Sequence, residues 1–250
     1  MNLEFQCKPF SAVLPDEYIR DNTRINTYFR ELKSHTGKYV ARHIIADLDE
    51  TTIDNIRASA IGSLFSTDQY VYGANSAHDL YPVGYNSCII DDVLDEIRRE
   101  AEQCSSLQGF KLIHSVGGGT GSGLTSYLSE LIKDNFYDKL VTSYTVYPSN
   151  KASDVIVEPY NMVLSMPSIL QYHDMNCCID NETLFAYSES LFRTPDPNWS
   201  DLNHYICHMI SASTAGIRFK GLFVVHLFSV YFMIGCCSIF CVISTESLSV

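Results

Sequence analysis

Gly117-Gly118-Gly119-Thr120-Gly121-Ser122-Gly123 is the stretch on which the reading of this chain turns. It follows the β-prone run Gly109-Phe110-Lys111-Leu112-Ile113-His114-Ser115. It precedes Leu124–Ile132, where the apolar residues at 124, 127, 128, 131 and 132 keep helical spacing. A strand, a glycine run and a helix in that order present unpaired backbone N–H groups and a helix N-terminus to an anion. Five glycines in seven positions predict positive φ and a close approach of backbone to phosphate oxygens. Thr120 and Ser122 add hydroxyl donors. A flexible Gly/Ser linker is the plain alternative, but linkers rarely sit inside a continuous pattern of elements. The run has neither the lysine of a Walker loop nor the spacing of a dinucleotide fingerprint. Phosphate charge would therefore be met by amides, hydroxyls and a metal ion.

Composition sets the frame around that run. The 250 residues are 46% hydrophobic and 18% charged, which suits a globular chain able to bury a core as one large domain or two small ones. A formal net charge of −12 argues against nonspecific nucleic-acid binding, which needs a basic surface to displace counterions. The nine cysteines include the adjacent pairs Cys177-Cys178 and Cys236-Cys237 but no CxxC, so a zinc site has little support. They read as reduced cytosolic thiols, mostly buried. Met1–Pro15 lacks the long apolar core of a signal peptide.

Outward from the glycine run, strand and helix signals alternate. Tyr39–Asp49 reads as a strand ending in acidic residues, residues 51–65 as a helix and 69–72 as a short strand. Cys88–Cys104 is the clearest helix, with Ile90, Val93, Leu94, Ile97, Ala101 and Cys104 on one stripe and the charges opposite. Leu140–Tyr147 is a strand, Glu158 opens a helix with Pro159 in its first turn, and a short strand lies near Cys177–Ile179. Helices follow at about 181–193 and 199–213. The alternation predicts an α/β fold: a Rossmann-like, largely parallel sheet with helices on both faces. Ligands gather at the carboxyl ends of such strands. Asp47, Asp49 and Glu50 are thus candidates to hold a metal through water, against a solvated acidic turn as the equal alternative.

Four blocks then resemble tubulin motifs in tubulin order: Gly117–Gly123, Asp154-Val155-Ile156-Val157-Glu158-Pro159-Tyr160-Asn161, Ile179-Asp180-Asn181-Glu182 and Asp201-Leu202-Asn203-His204. The resemblance runs from about Ile25 to Gly221 and implies a tubulin GTPase domain that binds GTP with Mg²⁺. It implies that Ser115 with Gly117, Gly118, Gly119, Thr120 and Gly121 wraps the phosphates, and that Asp154 and Glu158 lie near the ribose. Asn181 and Asn203 match the asparagines that read the guanine edge, although Asn181 alone would suit a helix cap. Trp199 stands where the family usually stacks a tyrosine on the base. Asp47 and Asp49 match acidic residues near Mg²⁺. No catalytic residue is assigned. The implied partners are tubulin subunits, as an alpha/beta heterodimer and microtubule, and the implied place is the cytoplasmic cytoskeleton. Thr52-Ile53-Asp54, Ile89-Ile90-Asp91, Leu124-Thr125-Ser126 and Thr214–Phe219 lean to the alpha class, Ser153-Asp154 to beta.

Three departures accompany the resemblance. The family's first strand and its Gly-Gln-Cys-Gly loop are not recognisable in the divergent residues 1–24, which leaves a gap in the sheet unless residues 3–7 fill it. The Gly73–Gly84 loop is shorter than the family's, with Asn75 and Ser76 as stand-ins near the γ-phosphate. Beyond the GTP-binding domain at 25–221, the family's central helix and second domain give way to an apolar tail at 222–250. Hydrolysis and normal polymerisation are accordingly expected to be lost in what reads as a truncated copy. Leu222–Ile243, 22 residues with few polar side chains, is long enough to span a bilayer. A membrane anchor, a broken gene model and a nonfunctional remnant are the alternative readings.

Overall fold

A computed structural model describes residues 25–32, 37–148, 155–190, 198–218 and 237–243. A short antiparallel pair, β1 (Phe29–Glu31) and β2 (Tyr39–Ala41), precedes the main sheet. The main sheet holds β3 (His43–Asp47), β4 (Tyr70–Tyr72), β5 (Leu107–Ser115), β6 (Leu140–Tyr147), β7 (Met175–Asp180) and β8 (Cys237–Ile243) in the order β4-β3-β8-β5-β6-β7. Every adjacent pair is parallel. All six carboxyl ends therefore share one edge of the sheet. The single strand expected over Tyr39–Asp49 is instead two, because Arg42 breaks it and its N–H donates to the Tyr28 carbonyl at 2.7 Å.

The helices are α1 (Glu50–Ala58), α2 (Tyr81–Tyr85), α3 (Ile90–Glu102), α4 (Thr125–Asn135), α5 (Glu158–Tyr172), α6 (Asn181–Ser190) and α7 (Trp199–Arg218). They cover both faces, as strand alternation requires. On one face Ile44, Phe110 and Leu112 meet Val93 and Ile97 of α3 and Leu128 and Ile132 of α4. On the other, Tyr144, Val146 and Ile179 meet Ile206 of α7, and Ile45 meets Ile53 of α1. Each such large side chain, buried in full, stabilises the fold by about 1.5–3 kcal/mol. The α3 stripe lies where periodicity put it, with two exceptions, the buried carboxylates Glu96 and Glu100. Glu100 is fully buried, held by Arg30 Nε and by the Gln69 amide, each at 3.2 Å. Among the described cysteines, Cys88, Cys178 and Cys207 are exposed and Cys104 and Cys177 half-buried, so the expectation of buried thiols fails for these.

β8 corrects the reading of the tail. Residues 237–243, placed by sequence in an apolar segment outside the domain, pair with β3 on one side and β5 on the other. An apolar, β-branched and aromatic run satisfies its backbone in a sheet as well as in a helix, and its composition does not separate the two. The slot left open for residues 3–7 is filled by β8; residues 3–7 and 222–236 lie outside the described residues. Among the described residues no helix is long and apolar enough to cross a membrane.

Candidate functional site

β5 ends at Ser115 on the carboxyl edge, where Val116 N–H donates to the Val146 carbonyl and Gly117 N–H to Ser115 Oγ at 3.2 Å. Gly117 and Gly118 then turn the chain, and the backbone is helical from Gly119, whose φ and ψ are −70° and −44°. A wide helical turn over Thr120–Leu124 leads straight into α4. No glycine of the run has positive φ, which corrects the conformational reason expected for them. Gly119, Gly121 and Gly123 are required by packing. A Cβ on Gly121 would stand 2.3 Å from the Ser115 carbonyl oxygen, and one on Gly119 would stand 2.5 Å from Leu80 N. The run is thus pressed between the end of β5 and the turn before α2.

The two hydroxyls of the run differ. Ser122 Oγ donates back to the Gly118 carbonyl at 2.6 Å, so it is not the outward donor expected. Thr120 Oγ1 and Thr125 Oγ1 are buried without a hydrogen-bond partner. A buried hydroxyl left unpaired costs about 1–3 kcal/mol. At the first turn of a helix, where amides also lack intrahelical partners, an orphaned hydroxyl suits an oxyanion.

Two supports were not assigned a role by sequence. Asn161 of α5, buried, donates from Nδ2 to the Gly117 carbonyl at 2.6 Å and to the Asp79 carbonyl at 2.7 Å, and accepts from Tyr81 N–H at 3.1 Å. It ties the glycine run to the turn at His78 and Asp79, both in the left-handed region at φ 49° and 54°. His114 lies beneath the run. Its Nδ1 donates to the Gly121 carbonyl at 3.0 Å, and its Nε2 faces Thr145 Oγ1 at 3.2 Å. Burial pushes the His114 imidazole down to about 4, keeping it neutral. His173, bonded at 2.8 Å to both Ser129 and Ser143, is pushed down to about 3, first by burial and then by His114. An imidazole near the end of the β-prone run Gly109–Ser115, just before the glycines, was the available signal for His114; for Asn161 it was its place inside the quoted block.

The remaining predicted residues distribute along the same edge. The Glu158 carboxyl in the first turn of α5 faces Gly117, where an added Cβ would meet it at 3.3 Å. Asn181, nearly buried, opens α6 directly after β7. It is not the cap of that helix: Asp180 accepts from the N–H groups of Glu182 and Thr183, both at 3.2 Å. Trp199 opens α7 and meets Phe185 edge-on at 5.5 Å, while Asn203 lies one turn further along α7. Asp154 lies outside the described residues. Ala46 and His114 both register with Ile243 of β8, so Asp47 and Ser115 stand one step beyond, about 10 Å apart across two strand spacings. Asp47 is buried and accepts from Asp49 N–H at 3.4 Å. Asp49 caps α1 by accepting from Thr51 N–H at 3.0 Å. Among the described residues no three His, Cys, Asp or Glu side chains gather as a metal cluster.

This geometry can be set beside known proteins. Residues 5–189 match the model of the Tubulin/FtsZ family, GTPase domain, a match that begins inside the segment read as divergent. The chain is 42% identical over 201 residues to the tubulin beta chain of Saccharomyces cerevisiae, covering 79% of this chain and 44% of that one. It is 41% identical over 201 residues to the tubulin beta-3 chain of Echinococcus multilocularis and to the tubulin beta-6 chain of Gallus gallus, in each case over 79% of this chain and 45% of the other. The chain spans less than half the length of these relatives. All three are beta chains, in contrast to the alpha lean read from the short motifs.

Proposed function

The chain belongs to the Tubulin/FtsZ family, and on that footing we propose that its carboxyl sheet edge binds GTP. The observation that carries the reading is Thr120 Oγ1, buried and unpartnered at the head of a helix where Gly119, Gly121 and Gly123 admit no side chain. In this reading Ser115, the amides of Gly117, Gly118, Gly119 and Gly121, and the Thr120 hydroxyl hold the phosphates. Glu158 accepts from ribose hydroxyls, as Asp154 does in the family motif. Asn181 and Asn203 pair with the guanine edge, and Trp199 supplies an aromatic face for the base. Mg²⁺, which neutralises phosphate charge when bound, is a cation that needs only one or two carboxylates besides phosphate and water. Asp47 is the candidate, with Asp49 partly committed to its helix cap.

Names of the relatives support a further step: the partners are tubulin subunits and the setting is the microtubule cytoskeleton in the cytoplasm. These are properties of the whole protein. The test is titration of a fluorescent GTP analogue into purified full chain, followed by competition. GTP displacing the probe where ATP does not, with about tenfold weaker binding in Thr120→Val, is expected. A dissociation constant weaker than about 1 mM, or equal displacement by ATP, overturns the reading.

A further inference from the structure

Helix α7 carries His204 and His208 one turn apart, both exposed. Spacing of i and i+4 puts two side chains on one helix face. Their Nε2 atoms stand 3.1 Å apart, with ring centroids at 4.5 Å and the planes nearly perpendicular. That separation is also the chord of a metal chelate. Zinc–imidazole bonds of about 2.0–2.1 Å enclose an angle of about 100° when the two nitrogens are 3.1 Å apart, between the ideal tetrahedral and square angles. We infer that His204 and His208 form a two-imidazole site for a divalent first-row transition ion on the solvent face of α7.

The chemistry balances without a redox step. In the free pair one Nε2 carries the proton and donates to the other. When the ion takes both Nε2 lone pairs, that proton moves to Nδ1 of the same ring through solvent, and both imidazoles remain neutral. Among the described residues no third His, Cys, Asp or Glu completes the cluster, so water fills the other positions and the ion exchanges readily. Asp201 lies on the same helix face but accepts from Asn198 N–H at 3.1 Å. Affinity follows the order that places Cu²⁺ above Ni²⁺ and Zn²⁺, and acid weakens it because ligating imidazoles must be deprotonated.

The experiment titrates Cu²⁺, then Zn²⁺, into the full chain by calorimetry, with electron paramagnetic resonance counting nitrogen ligands on Cu²⁺. One ion per chain with two nitrogens is expected. His204→Ala and His208→Ala each lower affinity at least tenfold, because either loss removes the chelate. Both positions are exposed and alanine favours helix, so the far-ultraviolet dichroism stays unchanged; His208→Gln gives the same loss with a polar side chain kept. Undiminished binding in the double variant, loss in only one single variant, or a single-nitrogen signal in the wild type overturns the inference.

Discussion

Asn161 Nδ2 donates to the Gly117 carbonyl at 2.6 Å across 44 residues of chain. The same amide holds Asp79 and Tyr81, so one side chain fixes the glycine run against the turn that packs on it. Asn161→Ala leaves the buried Gly117 carbonyl unpaired, together with the half-buried Asp79 carbonyl and Tyr81 N–H. A loss of about 3 kcal/mol is expected, read as a lower urea midpoint, together with weaker GTP-analogue binding. An unchanged midpoint would mean that water replaces the clamp at no cost.

Gly121→Ala drives a Cβ against the Ser115 carbonyl. Backbone must shift, at a cost of about 1–3 kcal/mol, and the shift moves the helix turn that carries Thr120. Urea denaturation and the GTP titration are both expected to worsen.

Thr120→Val separates binding from stability. Its hydroxyl is buried and unpaired, so replacing it with a methyl of similar shape leaves the fold unchanged or more stable by about 1 kcal/mol. Nucleotide binding weakens in the same variant. A parallel fall in stability would show that the hydroxyl serves the fold.

Three histidines make stability acid-sensitive, His114 buried and His43 and His173 half-buried. Burial lowers His43 and His114 from 6.5 to about 4 and His173 to about 3. Above 6.5 each is neutral folded or unfolded, and nothing is lost. Below it the unfolded chain binds protons that the folded chain refuses, so stability falls as pH drops towards 4. Each group contributes up to about 1.4 kcal/mol per pH unit. Urea midpoints are expected to hold level from pH 7.5 to about 6.5 and to decline from there to pH 5, with His114→Gln flattening that lower slope by about a third.

Val242→Pro tests the centre of the sheet. β8 is paired on both sides, so proline there removes a ladder donor at a cost of about 3 kcal/mol or more. Loss of cooperative unfolding is expected. Wild-type stability in this variant would remove β8 from the sheet.

Sequence spoke clearly where a single element carries its own period. Ile90 to Ala101 repeats at helical spacing over three turns, and the strand before Gly117 and the helix after it are both local patterns. Reading failed where a role depends on what the chain meets far away. Asn161 and His114 reach partners through tertiary contact, and no spacing rule announces them. The conformation of the glycines was read wrongly: a crowded backbone neighbour leaves no trace in sequence, whereas positive φ is the habitual explanation. Asp180 and Asn181 are both plausible caps by type, and only geometry assigns the cap to Asp180. The apolar tail was the costliest case, because 237–243 is equally compatible with a bilayer and with a parallel sheet buried on both faces.

The position of β8 also sets a timetable. Its neighbours β3 and β5 are synthesised long before it, and until residues 237–243 leave the ribosome each of them presents an open edge. Such edges recruit strands from other chains, and pairing over so long a separation is slow to form. The newborn protein therefore passes through an interval in which its half-built sheet is most exposed to association.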